Sequence, residues 1–380
     1  MGFLASTTES VASGAESIAA FLVVLTVLVF VHEMGHYLVA RWSGVRIETF
    51  SIGFGPELFG WYDRRGTRWR ISAVPFGGYV KMFGDADATS MPGEEVHTMT
   101  AEERAVSFHH KPLAARAAVI AAGPMANFLF TIVLYSCMFA TLGQPYTPPN
   151  IGKVQDDSAA AAAGVMPGDT FVSIDGQAVS RFEDVVQAVE LNTGTPMVVV
   201  VRRDGAELPL TITPRVTESV DHFGNHEKRA MLGVVGSGSA YLQRDPGTAV
   251  VEAVRQTWSL GTGILKSVGQ MITGARNSDQ IGGPLRIVSL SGQVFQGDGV
   301  LGLLSLMALL SVNLGLINLF PIPILDGGHL LFYAAEALRG RPLGPRAQEF
   351  GFRIGLAIVL TLMVFATWND LAHFWPFTKV

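Results

Sequence analysis

The segment FVHEMGHYLVA, Phe30 to Ala40, sets two histidines and a glutamate, His32, Glu33 and His36, in otherwise apolar sequence. In a helix, residues four apart lie one above the other, so His32 and His36 project from one face with Cβ atoms about 6 Å apart. Two imidazoles so placed can share one metal ion. Glu33, one position on, is angled away from direct ligation and suits a general base that takes a proton from water. The HExxH spacing is that of metal-assisted hydrolysis. Catalytic zinc takes three protein ligands and keeps a fourth position open, so Zn2+ here requires one more ligand. The segment NLFPIPILDGGH, Asn318 to His329, supplies a candidate. Pro321, Pro323 and Gly327-Gly328 prevent a regular helix there, and Asp326 is the preferred third ligand. His329, three residues on, is its rival, although the turn at Gly327-Gly328 directs it to the cytoplasmic side.

These groups lie in a chain built for lipid. Of 380 residues, 49% are hydrophobic and only 16% charged, too apolar for an ordinary soluble protein of this size. The net charge of -5 leaves no broad basic surface, which excludes nucleic acid as a partner. The single cysteine, Cys137, cannot build a disulfide framework or a cysteine metal cluster. Four segments reach the roughly 20 residues that a helical span needs: 18–42, 116–142, 301–338 with a proline-broken middle, and 351–371. The first is expected to be retained rather than cleaved, since Met1 to Glu16 contains no Lys or Arg. An ionisable group at the bilayer centre costs about 2.5 to 3.5 kcal/mol, so three within five residues imply a compensating task.

Lys and Arg near the span ends predict the orientation. The 43–115 loop carries Arg46, Arg64, Arg65, Arg68, Arg70, Lys81, Arg104 and Lys111, and the short loop after 338 carries Arg339, Arg341 and Arg346. Both are expected on the cytoplasmic side. The N-terminus (1–17), the long region between spans two and three, and the tail 372–380 then lie outside. Within the cytoplasmic loop, Ser51 to Phe59 and Trp69 to Asp85 have the pattern of β-hairpin strands with glycine corners. An open strand edge beside the embedded site would pair with an unwound substrate. His97, His109 and His110 are expected to face water.

Outside, DSAAAAAGVMPGDTFVSIDGQAV (Asp156 to Val179) predicts a short helix, a turn and a strand. Arg181 to Asn192 has helical periodicity, and two strands joined by Asp204-Gly205 follow. This order resembles a PDZ domain of the bacterial protease type over 148–236, which implies capture of an extended peptide or size gating. Residues 237–300 are expected to hold an amphipathic helix, Gly247 to Gly274, and a linker. That helix either lies on the lipid surface or packs on the PDZ domain.

HEMGH, GFGP (Gly53 to Pro56), PFGGYVKM (Pro75 to Met82), AAGPMANF (Ala121 to Phe128) and NLFPIPILDGGH together resemble the site-2 protease family, specifically its bacterial regulator of sigma-E protease branch. The likeness spans all four apolar segments. It implies an intramembrane zinc metalloprotease of the bacterial inner membrane, with single-span substrates such as anti-sigma factors and remnant signal peptides. It further implies that Asp326 completes the zinc site and that Asn318, with Asn313 as a second candidate, holds the substrate backbone. The edge Gly77, Gly78, Tyr79, Val80, Lys81 would pair with the unwound substrate. One departure is that many members carry two tandem PDZ domains, whereas the room between Tyr146 and Gly247 fits one. The expected fold is a polytopic α-helical membrane protein with a cytoplasmic β-hairpin region and one periplasmic α+β domain. Two other classes fit parts of the pattern. One is an intramembrane metal transporter or sensor, the other a noncatalytic scaffold that presents its PDZ domain.

Overall fold

The computed structural model describes residues 2–86, 93, 96, 98–190, 192, 194–220, 226–273 and 283–374. The chain divides into two compact units. One comprises 1–135, 254–264 and 279–380, the other 136–253 and 265–278.

Helix α1 (Gly2–Trp42) ends where Gly44, at φ 70°, allows the chain to turn back and Val45 N–H to reach the Ala40 carbonyl. Strands β1 (Ile47–Tyr62) and β2 (Arg68–Met82) follow. Each is long enough to bend into two arms. Residues 57–62 run antiparallel to 68–72, residues 47–52 run antiparallel to 78–82, and residues 49–52 are also in register with 68–71. The arm 78–82 is therefore the outer strand, partnered on one side among the described residues. Gly53 and Gly77, at φ 89° and 104°, make the bends. A Cβ at Gly77 would lie 2.6 Å from the Phe54 ring, which would have to shift, and the positive φ there already favours glycine.

The sheet seats on α1 and on the helix that follows. Phe50 is fully buried, stacks on Trp69, and joins Tyr37, Ala40, Ile47, Val80, Met82, Val119 and Ile120 in one apolar core. A short helix α2 (Ala101–Val106) starts with a reciprocal Thr100–Glu103 cap. Contrary to the expectation from sequence, His109 does not face water. It is half-buried against the buried Asp85 at 2.9 Å, whose carboxylate also accepts the Met82 N–H. Burial raises the Asp85 pKa, and the His109 hydrogen bond partly offsets this. His97 falls outside the described residues. Helix α3 (Leu113–Thr141) completes this part, with Pro124 inside it.

The second unit is built from short strands: β3 (Gln144–Tyr146), β4 (Ile151–Val154), β5 (Thr170–Ile174), β6 (Gln177–Ala178), β7 (Met197–Arg203), β8 (Ala206–Ile212), β9 (Arg215–Val220), β10 (His226–Met231), β11 (Val234–Gly236) and β12 (Ala240–Leu242). Helix α4 (Ala159–Ala162) precedes β5, and α5 (Phe182–Glu190) precedes β7. The main sheet has the order β6-β5-β7-β8, and β9 pairs with β10, β11 with β4 and β12 with β3. The Asp175-Gly176 and Asp204-Gly205 turns take positive φ at both residues, as tight hairpins demand. Val199 and Val201 of β7 meet Val185 and Val189 of α5 in a core that includes Phe171, Met197 and Ile212. Buried Asp169 holds the Arg203 guanidinium through two contacts of 2.7 and 2.8 Å, and this hydrogen bonding lowers the Asp169 pKa. Helix α6 (Pro246–Ile272) begins on an Asp245 cap and a proline in its first turn.

Helix α7 (Pro284–Leu319) corrects two boundaries. Residues 284–300, expected as linker, are helical, and the third apolar segment begins at 284 rather than 301. The reason lies at Gly299, whose φ of 62° and ψ of -144° kink the helix where the polar stretch Gln293–Asp298 gives way to apolar sequence. Helix α8 (Asp326–Arg339) is separate, so 301–338 is not one span but the end of α7, a break, and α8. Helix α9 (Pro345–Phe374) closes the chain, and its buried Asp370 accepts the Gly283 and Arg286 N–H groups at the start of α7. Residues 375–380 of the expected tail lie outside the described residues. By length and composition, Gly14–Trp42, Leu113–Thr141, Pro284–Leu319 and Arg346–Leu371 can each cross a membrane. Val24 and Leu28 of α1 pack against Met307 of α7.

Candidate metal centre

Regular helix in α1 delivers His32 and His36 to one face, their rings edge-on with centroids 4.9 Å apart. The third group arrives from irregular backbone. Pro321 and Pro323 end α7, and Ile324 takes φ 111°, a conformation that a β-branched residue rarely adopts. This strained turn places Asp326 at the first position of α8. Gly327 and Gly328 let the turn fold onto itself, because a Cβ at either would strike the carbonyls of Leu319 and Phe320 or of Ile322.

The three ligand atoms form a nearly equilateral triangle. His32 Nε2 lies 3.3 Å from His36 Nε2 and 3.2 Å from Asp326 Oδ2, and His36 Nε2 lies 3.4 Å from the same oxygen. Asp326 Oδ2 is buried and accepts no well-directed hydrogen bond. Ligands bound tetrahedrally at about 2.0–2.1 Å stand about 3.3 Å from one another, so the donor set of two imidazoles and a carboxylate fits a zinc ion in both chemistry and size. His329, the rival ligand, is absent from this group, although it is buried and lines the same cavity.

That cavity has a volume of about 180 Å³ and is walled by His32, Glu33, His36, Gly78, Tyr79, Val80, Asn318, Ile324 and Asp326, among others. Glu33 faces the edge strand, within hydrogen-bonding reach of the Val80 backbone N–H. Gly78 is required where α1 meets that strand, since its Cβ would stand 2.8 Å from Val29 and 2.7 Å from the Ser51 carbonyl. Asn318 lines the cavity while its amide donates to the Leu314 carbonyl one turn earlier. Asn313 is not among the lining residues. Gly77 lies at the bend against Phe54, and the Lys81 ammonium pairs with Glu48 at 3.0 Å; neither residue lines the cavity.

Helix α3 contributes residues that the motif spacing did not single out. His36 Nδ1 donates to the Val119 carbonyl at 2.9 Å, and His32 Nδ1 lies 3.1 Å from the Asn127 amide nitrogen. Gly123 sits between these contacts, and a Cβ there would overlap His36 Nε2. All three lie in or beside AAGPMANF, whose small residues are the signal for such a close helix approach.

A model of peptidase family M50 matches residues 20–362. The chain belongs to peptidase family M50. It is 49% identical over 360 residues to a protein of Agrobacterium fabrum whose name designates it a zinc metalloprotease, a match covering 93% of this chain and 95% of that one. It is 38% identical over 380 residues to metalloprotease MmpA of Caulobacter vibrioides, covering 94% and 96%. Among solved structures, a PDZ domain of an SdrC-like protein from Listeria monocytogenes covers 24% of this chain and 88% of its own length, at 18% identity and a TM-score of 0.20. Membership in M50 makes the chain a zinc metalloprotease of the site-2 type, and it favours hydrolysis over the ion-path and scaffold readings.

Proposed function

We propose that this M50 peptidase is an endopeptidase that cuts membrane-spanning segments of single-span proteins, anti-sigma factors and remnant signal peptides being the candidate substrates. The observation that carries this reading is the triangle of His32, His36 and Asp326 atoms, two from a helix long and apolar enough to cross a membrane and the third from the break that follows another, opening on a cavity beside a strand edge partnered on one side among the described residues.

In this reading His32, His36 and Asp326 hold the zinc. A zinc ion so held supplies Lewis acidity to a scissile carbonyl and to the hydrolytic water. The Glu33 carboxylate accepts the water proton and returns it to the leaving amine. A helical substrate hides its carbonyls in its own hydrogen bonds and must be unwound before it can be cut. The outer arm 78–82, partnered by a strand on one side among the described residues, offers its other edge to an extended chain, and Asn318 offers amide contacts to the same chain.

The orientation that the Lys and Arg count favours puts the β1–β2 sheet and the loop after α8 in the cytoplasm of a bacterial inner-membrane protein, with both termini and the 148–236 region in the periplasm. A groove of about 230 Å³ between α5 (Phe182, Val185, Val186, Val189) and Ala230–Val234 supports PDZ-type peptide capture or gating by that region. The test is Glu33→Gln in full-length protein. It should retain one zinc per chain and lose at least roughly a hundredfold in cleavage of a single-span reporter. Unchanged cleavage would end the proposed role of Glu33.

A further inference from the structure

The two metal-facing histidines are held differently at their far nitrogens. His36 Nδ1 meets the Val119 carbonyl, which can only accept. That contact fixes the proton on Nδ1 and leaves the Nε2 lone pair toward the triangle. His32 Nδ1 meets instead the Asn127 side chain, an amide able to donate or accept. Asn127 is fully buried, its amide nitrogen faces His32 Nδ1, and its Oδ1 has no partner. With the amide turned this way, His32 Nδ1 must accept, and a neutral ring then carries its proton on Nε2, where no metal can bind. With the amide turned by half a rotation, Oδ1 takes the Nδ1 proton's hydrogen bond and Nε2 becomes a ligand.

We propose that Asn127 is a positioning residue whose amide selects the tautomer of His32 and thereby switches the site between a metal-refusing and a metal-accepting form. This rests on His32 being a zinc ligand, as assigned above. The backbone at Asn127 is fixed, so the side chain alone turns. Its carbonyl accepts Thr131 Oγ1 at 3.1 Å and Ser311 Oγ of α7 at 2.9 Å, and Thr131 also reaches the Ala308 carbonyl.

The test measures zinc affinity of full-length variants in detergent by competition with a chelator, apart from activity. Asn127→Ala and Asn127→Leu should each bind zinc roughly 10–100-fold more weakly, the usual cost of losing a partner behind a ligating histidine. Asn127→Asp, an acceptor of the same shape, should restore affinity to within a few-fold of wild type. A merely space-filling residue would instead tolerate Leu and reject the buried carboxylate. Long-range 1H–15N spectra of histidine-labelled wild type, assigned with His32→Gln, read the tautomer directly. His32 should carry its proton on Nε2 without zinc and on Nδ1 with zinc. Wild-type affinity in Asn127→Ala, or an Nδ1 proton in both states, would overturn the role of Asn127. Full zinc affinity in His32→Gln would overturn the ligand assignment itself.

Discussion

Replacing Gly123 with alanine adds one methyl group where α3 crosses the histidine pair. A Cβ built there overlaps His36 Nε2 and lies 2.5 Å from His36 Cε1 and 2.9 Å from His32 Cε1. Carbon contacts settle at about 3.5–4.0 Å, so the His36 ring must retreat by about 1 Å. Metal–ligand distances tolerate deviations of only about 0.2 Å. The ring is also tethered by its Val119 hydrogen bond on the same helix, so α3 cannot move off without carrying that tether along. Overpacking of this kind costs about 1–3 kcal/mol, whereas glycine to alanine in an unhindered helix gains about 0.5–1 kcal/mol. Zinc affinity of Gly123→Ala should therefore fall at least roughly tenfold. The assay is zinc per chain by elemental analysis, with chelator competition and circular dichroism to confirm that the helices persist. One tightly bound zinc per chain in the folded variant would refute the packing argument.

Asp326→Ala should bind no zinc in the same assay while keeping its helical content. Asp370→Ala removes the cap on the first turn of α7 and leaves two backbone donors without their acceptor. It should destabilise the protein by about 1–3 kcal/mol, read as a lower thermal midpoint with zinc binding intact. In the second unit, the Arg203 contact lowers the Asp169 pKa below its unfolded value of about 3.9. That stabilisation is present above pH about 4 and lost as pH falls through the folded-state value. The stability gap between wild type and Arg203→Met, followed by hydrogen exchange of residues 136–253, should accordingly be full at pH 7 and shrink below pH about 4.

The chemistry was legible wherever it obeyed local rules. HEMGH follows helical spacing, and Asp326 stands out because prolines and glycines break a helix beside a carboxylate in apolar sequence. What the sequence hid depends on how elements cross. Asn127 touches His32 only because α3 packs against α1 at that rotation; the small residues beside it mark a close helix approach but not which side chain it meets. His109 was misplaced because Asp85, its partner, lies 24 residues away in sequence. The start of α7 was missed because Ser289, Gln293, Gln296 and Asp298 interrupt the hydropathy pattern and Gly299 kinks the helix. Two strands were legible as hairpin material, but their division into four arms follows from bends at Gly53 and Gly77 that hydropathy does not record.

The ligand triangle joins residue 36 to residue 326, on two segments separated by about three quarters of the chain. An ion held there would be a crosslink as well as a reagent, closing a very long loop and pinning the strained turn at Ile324 against α1. Stripping it with a chelator would then loosen the grip between α1 and α8.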